Sequence, residues 1–127
     1  MQREHWVYFP EGTRSKKEHP PYLLPGKTGI ARLAASHPDT PVVPIGLMGT
    51  RDFMTPGKHK FPRLWKKVEI SYGIPITWWK WLGENYEVST IIEIASKEEH
   101  EIKKALAEMY RKFTDDFMQM IKNQGAP

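Results

Sequence analysis

The chain has 127 residues, 39% of them hydrophobic and 12% aromatic, with a formal net charge of +4 and no cysteine. That length bounds it to one domain with a modest core, and the apolar content excludes a disordered chain. Without cysteine, disulfides, thiolate metal sites and cysteine nucleophiles are excluded. No window approaches the roughly 18 apolar residues of a membrane-spanning helix, and residues 1–20 are too polar for a signal peptide. The basic excess is local: residues 1–67 hold twelve Lys/Arg against five Asp/Glu, whereas residues 96–123 hold six of each. Such a surface fits nucleic acid, an anionic membrane or phosphorylated substrates, and composition does not choose among them.

In chain order, His5-Trp6-Val7-Tyr8-Phe9 predicts a strand, rich in aromatic and branched residues and stopped by Pro10 and Gly12. Glu11, Gly12, Thr13 and Arg14 follow on the turn at its carboxyl end, where open α/β sheets bind ligands. Arg14 offers a planar fork of donors suited to phosphate, Glu11 an acceptor for hydroxyls, and Gly12 a close backbone approach. A polar turn with Thr13 as a cap and Arg14 in a surface ion pair is the competing account. Residues 16–26 predict a loop, because their prolines exclude a helix interior or a central strand. Lys27 to Ser36 predicts a helix with Ile30, Leu33 and Ala34 on one face and Pro38 as its stop. Lys27 at its start adds a cation where the helix dipole favours anions, with Thr28 expected as a local cap.

Val42 to Leu47 is short and continuously apolar, which predicts a strand buried on both faces, with Pro44 at a bulge or edge. Strand, crossover helix and strand suggest a parallel pair. Residues 51–67 carry six basic residues and one acid among Phe53, Phe61, Leu64 and Trp65, without a clean period, and read as a loop. Val68 to Tyr72 alternates as a strand and ends at Gly73. Trp78, Trp79 and Trp81 then fall within four positions. With cations such as Lys66 and Lys67 they form a candidate membrane-surface patch, the alternative being a local core. At the carboxyl end, Ser96 and Glu99 fit a capping box, and Ile102, Leu106, Met109, Phe113, Phe117 and Met120 recur at helical spacing up to Asn123. The fold class expected is α/β: a partial mixed or parallel sheet flanked by helices, with a long amphipathic carboxyl-terminal helix.

The histidines lack metal-ligand spacing, and no G-x-S-x-G elbow surrounds any serine, so neither a metal site nor a serine hydrolase is expected. Gly26-Lys27-Thr28 lacks the preceding glycine of a P-loop. No recognised nucleic-acid motif is present and the last helix is charge-balanced, so nucleic acid is not an expected partner.

Phe9-Pro10-Glu11-Gly12-Thr13-Arg14-Ser15 resembles the substrate-binding motif of the glycerolipid acyltransferases, which include the 1-acyl-glycerol-3-phosphate (lysophosphatidic acid) acyltransferases. Further matches follow in the family's order: Gly26 to Ala34, Pro41 to Gly46 and Val68 to Pro75. The resemblance covers about residues 5–76 and makes residues 1–127 the carboxyl-terminal part of such a domain. It implies that Glu11, Gly12 and Arg14, in the motif that also holds Thr13, bind the glycerol phosphate, and that Pro44 and Ile45 line the acyl or acceptor pocket; Lys27 joins the phosphate-site candidates on the helix-start argument alone. The reaction implied moves a fatty acyl group from acyl-CoA or acyl carrier protein to lysophosphatidate or a related acceptor in phospholipid biosynthesis. It requires no cofactor and implies a peripheral position on the cytoplasmic face of a membrane. The family's catalytic H-x-x-x-x-D is not in these residues: five positions after His5, His19, His37, His59 and His100 stand Pro10, Leu24, Val42, Leu64 and Ala105. A non-catalytic lipid- or phosphate-binding module is the alternative.

Overall fold

A computed structural model describes residues 7–12, 23–48 and 69–125. Among them are helices α1 (Gly29–Ser36), α2 (Trp78–Asn85), α3 (Val88–Ala95) and α4 (Glu99–Asn123), and strands β1 (Ile45–Met48) and β2 (Glu69–Tyr72). The mixed α/β content agrees with expectation. The parallel pair expected between residues 5–9 and 42–47 is not seen among the described residues: β1 pairs instead with β2, antiparallel, with Ile45 opposite Tyr72 and Met48 opposite Glu69. Residues 7–9 join no strand, and Val7 and Phe9 are exposed. An aromatic, branched run favours a strand only where a neighbour offers a ladder and a face to bury against.

The sheet continues past β1 and β2 through a bridge between Val42 and Ile76. From the Ile45–Tyr72 pair to that bridge the first segment advances three residues and the second four, so one extra residue lies on the second segment. Such an insertion reverses the side-chain alternation beyond it. Ile70 and Tyr72 consequently face solvent, while Ile76, at the same parity, is buried. Pro44 and Gly46 face inward, and Val43 and Ile45 outward. The apolar run at 42–47 is therefore covered on one face, not on both. What covers it is the end of α4: Ser71 Oγ donates to Gln124 Oε1 at 2.8 Å, and a Cβ on Gly46 would stand 2.7 Å from the Gln124 carbonyl oxygen. Only glycine permits that backbone approach.

Helix α1 ends before Pro38 as expected, but it starts at Gly29, and Thr28 makes no side-chain capping bond. Its buried residues are Ile30, Ala31 and Ala34, while Leu33 is 38% exposed. The buried stripe is thus turned by about one position, because two alanines let α1 lie close against α4.

Helix α2 begins where Thr77 Oγ1 accepts the Lys80 amide at 3.2 Å, and it buries Trp78, Trp81 and Leu82. Positions i, i+3 and i+4 share a helix face, here the one turned to α4. Trp78 and Trp81 lie 5.4 and 5.2 Å from the Phe113 ring and 5.1 Å from each other. Trp81 Nε1 donates to Asp116 Oδ2 at 3.0 Å, so its one polar atom is satisfied inside the core. These two tryptophans, at 5% and 1% exposure, belong to the core and not to a membrane surface. Trp79, on the opposite side, is 55% exposed. Lys66 and Lys67, the cations of that patch, lie outside the described residues.

Tyr86 closes the aromatic cluster edge-on to Trp81 at 5.9 Å. Burial raises its hydroxyl pKa, and the carboxylates of Glu108 and Asp116 raise it further. Helix α3 buries no residue fully, although Ile91 and Ile94 pack on the core.

The capping box at Ser96 is absent. Ser96 terminates α3, its hydroxyl donating to Glu93 O at 2.7 Å, and Glu98 occupies the N-cap of α4 without a side-chain bond. Of the α4 stripe, Met109, Phe113 and Phe117 are buried together with Thr114, Met118 and Ile121, none of them in the first two turns. Thr114 satisfies its hydroxyl by donating to Tyr110 O at 2.7 Å. Ile102 and Leu106, in the half beyond the α1 and α2 contacts, are half-buried.

Candidate functional site

The segment Phe9-Pro10-Glu11-Gly12 forms a turn, closed by the Gly12 amide donating to Phe9 O at 2.9 Å. Pro10 pre-sets the second position, and Gly12 at the fourth has φ of 71°, a left-handed conformation that favours glycine. Two hydrogen bonds lace this turn to residues 24–27. The Lys27 amide donates to Pro10 O at 2.7 Å, and the Leu24 amide donates to Glu11 Oε2 at 2.9 Å. The two motifs that sequence alone kept apart are thus one structural unit.

That unit rests on α4 through Gly26. A Cβ there would meet Met118 Cγ at 2.7 Å and Thr114 Cγ2 at 2.8 Å, and the Gly26 carbonyl accepts from Arg111 Nη2 at 2.7 Å. Arg111 is itself held by Asp115 one turn on. The Lys27 side chain lies across Gly12: a Cβ on Gly12 would stand 3.1 Å from Lys27 Cδ and 3.2 Å from Nζ. Among the described residues no carboxylate forms an ion pair with Lys27. Close by, the Tyr8 hydroxyl packs against Gly29 in the first turn of α1. That turn carries no acidic residue and no side-chain cap, so nothing among the described residues offsets the positive end of the helix.

Of the residues expected to bind substrate, Glu11, Gly12 and Lys27 come together here, and Thr13 and Arg14 lie outside the described residues. One carboxylate oxygen of Glu11 already holds a backbone amide. Pro44 and Ile45 do not act as a pair: Pro44 is fully buried against Gly73, whereas Ile45 is 39% exposed on the other face of the sheet. The link between β1 and the turn is α4. Gly26 packs on Met118 and Gly46 on Gln124, six residues further along the helix, a rise of about 9 Å.

Sequence reasoning gave Gly26 a place in a motif but no contact, and did not single out Tyr8, Leu24 or Arg111. The Gly26 contact had a signal in the small residue preceding Lys27, but its partners on α4 stand more than eighty positions away. Among the described residues no three His, Cys, Asp or Glu side chains group as a metal site, and no helix is long and apolar enough to cross a membrane.

Residues 1–48 match the family model described as Acyltransferase. No curated protein and no solved structure matches the chain significantly. The matched stretch contains the turn, the Gly26–Lys27 segment, α1 and β1, and leaves out α4, on which they rest. Residues 1–48 of this chain therefore carry the sequence pattern of the acyltransferase family.

Proposed function

We propose that the chain is the substrate-binding, carboxyl-terminal part of a glycerolipid acyltransferase domain. It acts on a fatty acyl thioester, acyl-CoA or acyl carrier protein, and on lysophosphatidate or a related glycerol phosphate acceptor, in phospholipid biosynthesis. The observation that carries this reading is the turn at Phe9 to Gly12 with the Lys27 side chain laid across it, inside the stretch that matches the Acyltransferase model. A cation without an ion pair among the described residues, a glycine that admits close approach and a helix start without a side-chain cap suit a phosphate monoester. Gly12, Thr13, Arg14 and Lys27 hold the phosphate in this reading, and Ile45, exposed on the outer face of the sheet, borders the acyl or acceptor pocket, with Pro44 buried behind it.

The chemistry follows a general-base course. The histidine of an H-x-x-x-x-D element takes the proton of the acceptor hydroxyl, its aspartate orients the imidazole, and the alkoxide attacks the thioester carbonyl. Collapse of the tetrahedral intermediate expels the thiolate, which recovers the proton from the imidazolium. That dyad is not among these 127 residues. Their contribution is to fix the phosphate and thereby the hydroxyl, and orientation of this kind supplies a large share of a barrier reduction. No cofactor enters the scheme.

The test is Arg14→Ala in an enzyme assembled from this chain and the segment bearing the dyad. Charged hydrogen bonds to phosphate contribute about 1.5–3 kcal/mol, so acceptor kcat/KM is expected to fall at least about tenfold with donor use little changed. Arg14→Lys should recover only part of the loss, because a point charge does not reproduce the guanidinium fork. Unchanged acceptor kinetics in Arg14→Ala would remove the residue from the site.

A lysophospholipid acceptor puts the enzyme peripherally at a membrane, here proposed as its cytoplasmic face. With Trp78 and Trp81 in the core, Trp79 is the tryptophan of the cluster available to an interface, beside exposed Lys80. Trp79→Ala is expected to weaken sedimentation with phosphatidylglycerol vesicles at both low and high salt while the melting temperature holds. Charge reversal at Lys66 and Lys67 should act at low salt only. Vesicle binding indifferent to both changes would refute a membrane role for this region.

A further inference from the structure

The Glu11 carboxylate sits at the corner of the turn, yet one of its oxygens is engaged with the chain itself, accepting the Leu24 amide at 2.9 Å across thirteen positions. Leu24 precedes Pro25, which biases it to extended backbone, and it lies in no helix. A half-buried amide in that position needs a partner, and a carboxylate forms a stronger bond to it than a neutral oxygen. Three positions later the Lys27 amide is tied to Pro10 O, and the Lys27 side chain crosses Gly12. The two bonds together set where the Lys27 ammonium lies. Gly26, between them, is clamped on Thr114, Met118 and Arg111, so the segment is held from both sides.

We propose that Glu11 is a positioning residue: through Leu24 it holds residues 24–27 against the turn and so presents Lys27 to the phosphate of the acceptor, without touching the acceptor itself. This rests on the phosphate-site reading above and changes the role of one residue within it. A ligand carboxylate and a positioning carboxylate respond differently to substitution. Glutamine keeps an oxygen at the same reach and still accepts the Leu24 amide, whereas it forfeits the charge that binding a polyol hydroxyl would exploit. Alanine removes both.

The experiment is amide hydrogen exchange by nuclear magnetic resonance on the chain and on Glu11→Gln and Glu11→Ala, with titration of each by sn-glycerol 3-phosphate. Leu24 in the unsubstituted chain should exchange well below the unprotected rate. Glu11→Ala should accelerate it by at least about tenfold and weaken glycerol 3-phosphate by a similar factor, and Glu11→Gln should restore both to within about threefold. An unprotected Leu24 amide in the unsubstituted chain would overturn the proposal without recourse to any variant. So would a glutamine variant that keeps Leu24 protected but loses glycerol 3-phosphate as completely as alanine does, since the charge would then be a ligand. Protection following the expected order with no glycerol 3-phosphate binding by any form leaves the Leu24 clamp standing. It would remove the phosphate-site reading, and with it the proposed purpose of the clamp.

Discussion

Phe113→Ala is expected to remove most of the stability of this chain. The ring is 1% exposed and contacts Trp78, Trp81 and Phe117, the last in a stacked arrangement at 6.0 Å. Truncating a buried phenylalanine costs about 3–5 kcal/mol in lost burial and residual cavity, out of about 5–15 kcal/mol for an ordinary domain. The consequence should be greater here than the average suggests, because Phe113 joins α2 to α4 and α4 carries both the turn and the sheet. Urea denaturation should show the midpoint collapse, with loss of near-ultraviolet circular dichroism from the tryptophans. Trp79→Ala, on the same helix as Trp81 but 55% exposed, should move stability by less than about 0.5 kcal/mol. A Phe113→Ala midpoint close to that of the unsubstituted chain would mean that the aromatic cluster is not the core.

The second large effect concerns chemistry. The purified 127-residue chain is expected to show no acyl transfer in a radiolabelled thioester assay, because no histidine in it is followed five positions later by aspartate. Loss of a general base costs about 10²–10⁴ in rate, and loss of the whole segment that carries it costs more through lost orientation. Adding a polypeptide that carries H-x-x-x-x-D should restore turnover where the two parts assemble. Steady turnover by the chain alone would require a different catalytic apparatus from the one proposed.

The candidate site was legible in part. Phe9 to Ser15 and Gly26 to Ala34 stood out as two short patterns, and each contains residues that meet in the structure. Their union was not legible, because it depends on the Leu24–Glu11 and Lys27–Pro10 hydrogen bonds and on a surface of α4 far along the chain. The resemblance implied a ligand class for the pattern; it did not foretell that one Glu11 oxygen accepts a backbone amide.

What the sequence determined by itself was whatever short-range forces decide. Helical periodicity and the run of good helix formers carried α4 to Asn123, proline ended α1 before Pro38, and β alternation ended β2 at Gly73. Only the tertiary structure decided the direction of the strand pair, the bare outer face at Ile45 and Tyr72, and the inward turn of Trp78 and Trp81. An apolar strand is compatible with a cover on either face, and a tryptophan triplet with either a core or an interface. The choice is made by whichever surface the chain brings opposite: here Phe113 across α2, and Gln124 across Gly46. Those contacts join residues tens of positions apart, and no local pattern encodes them.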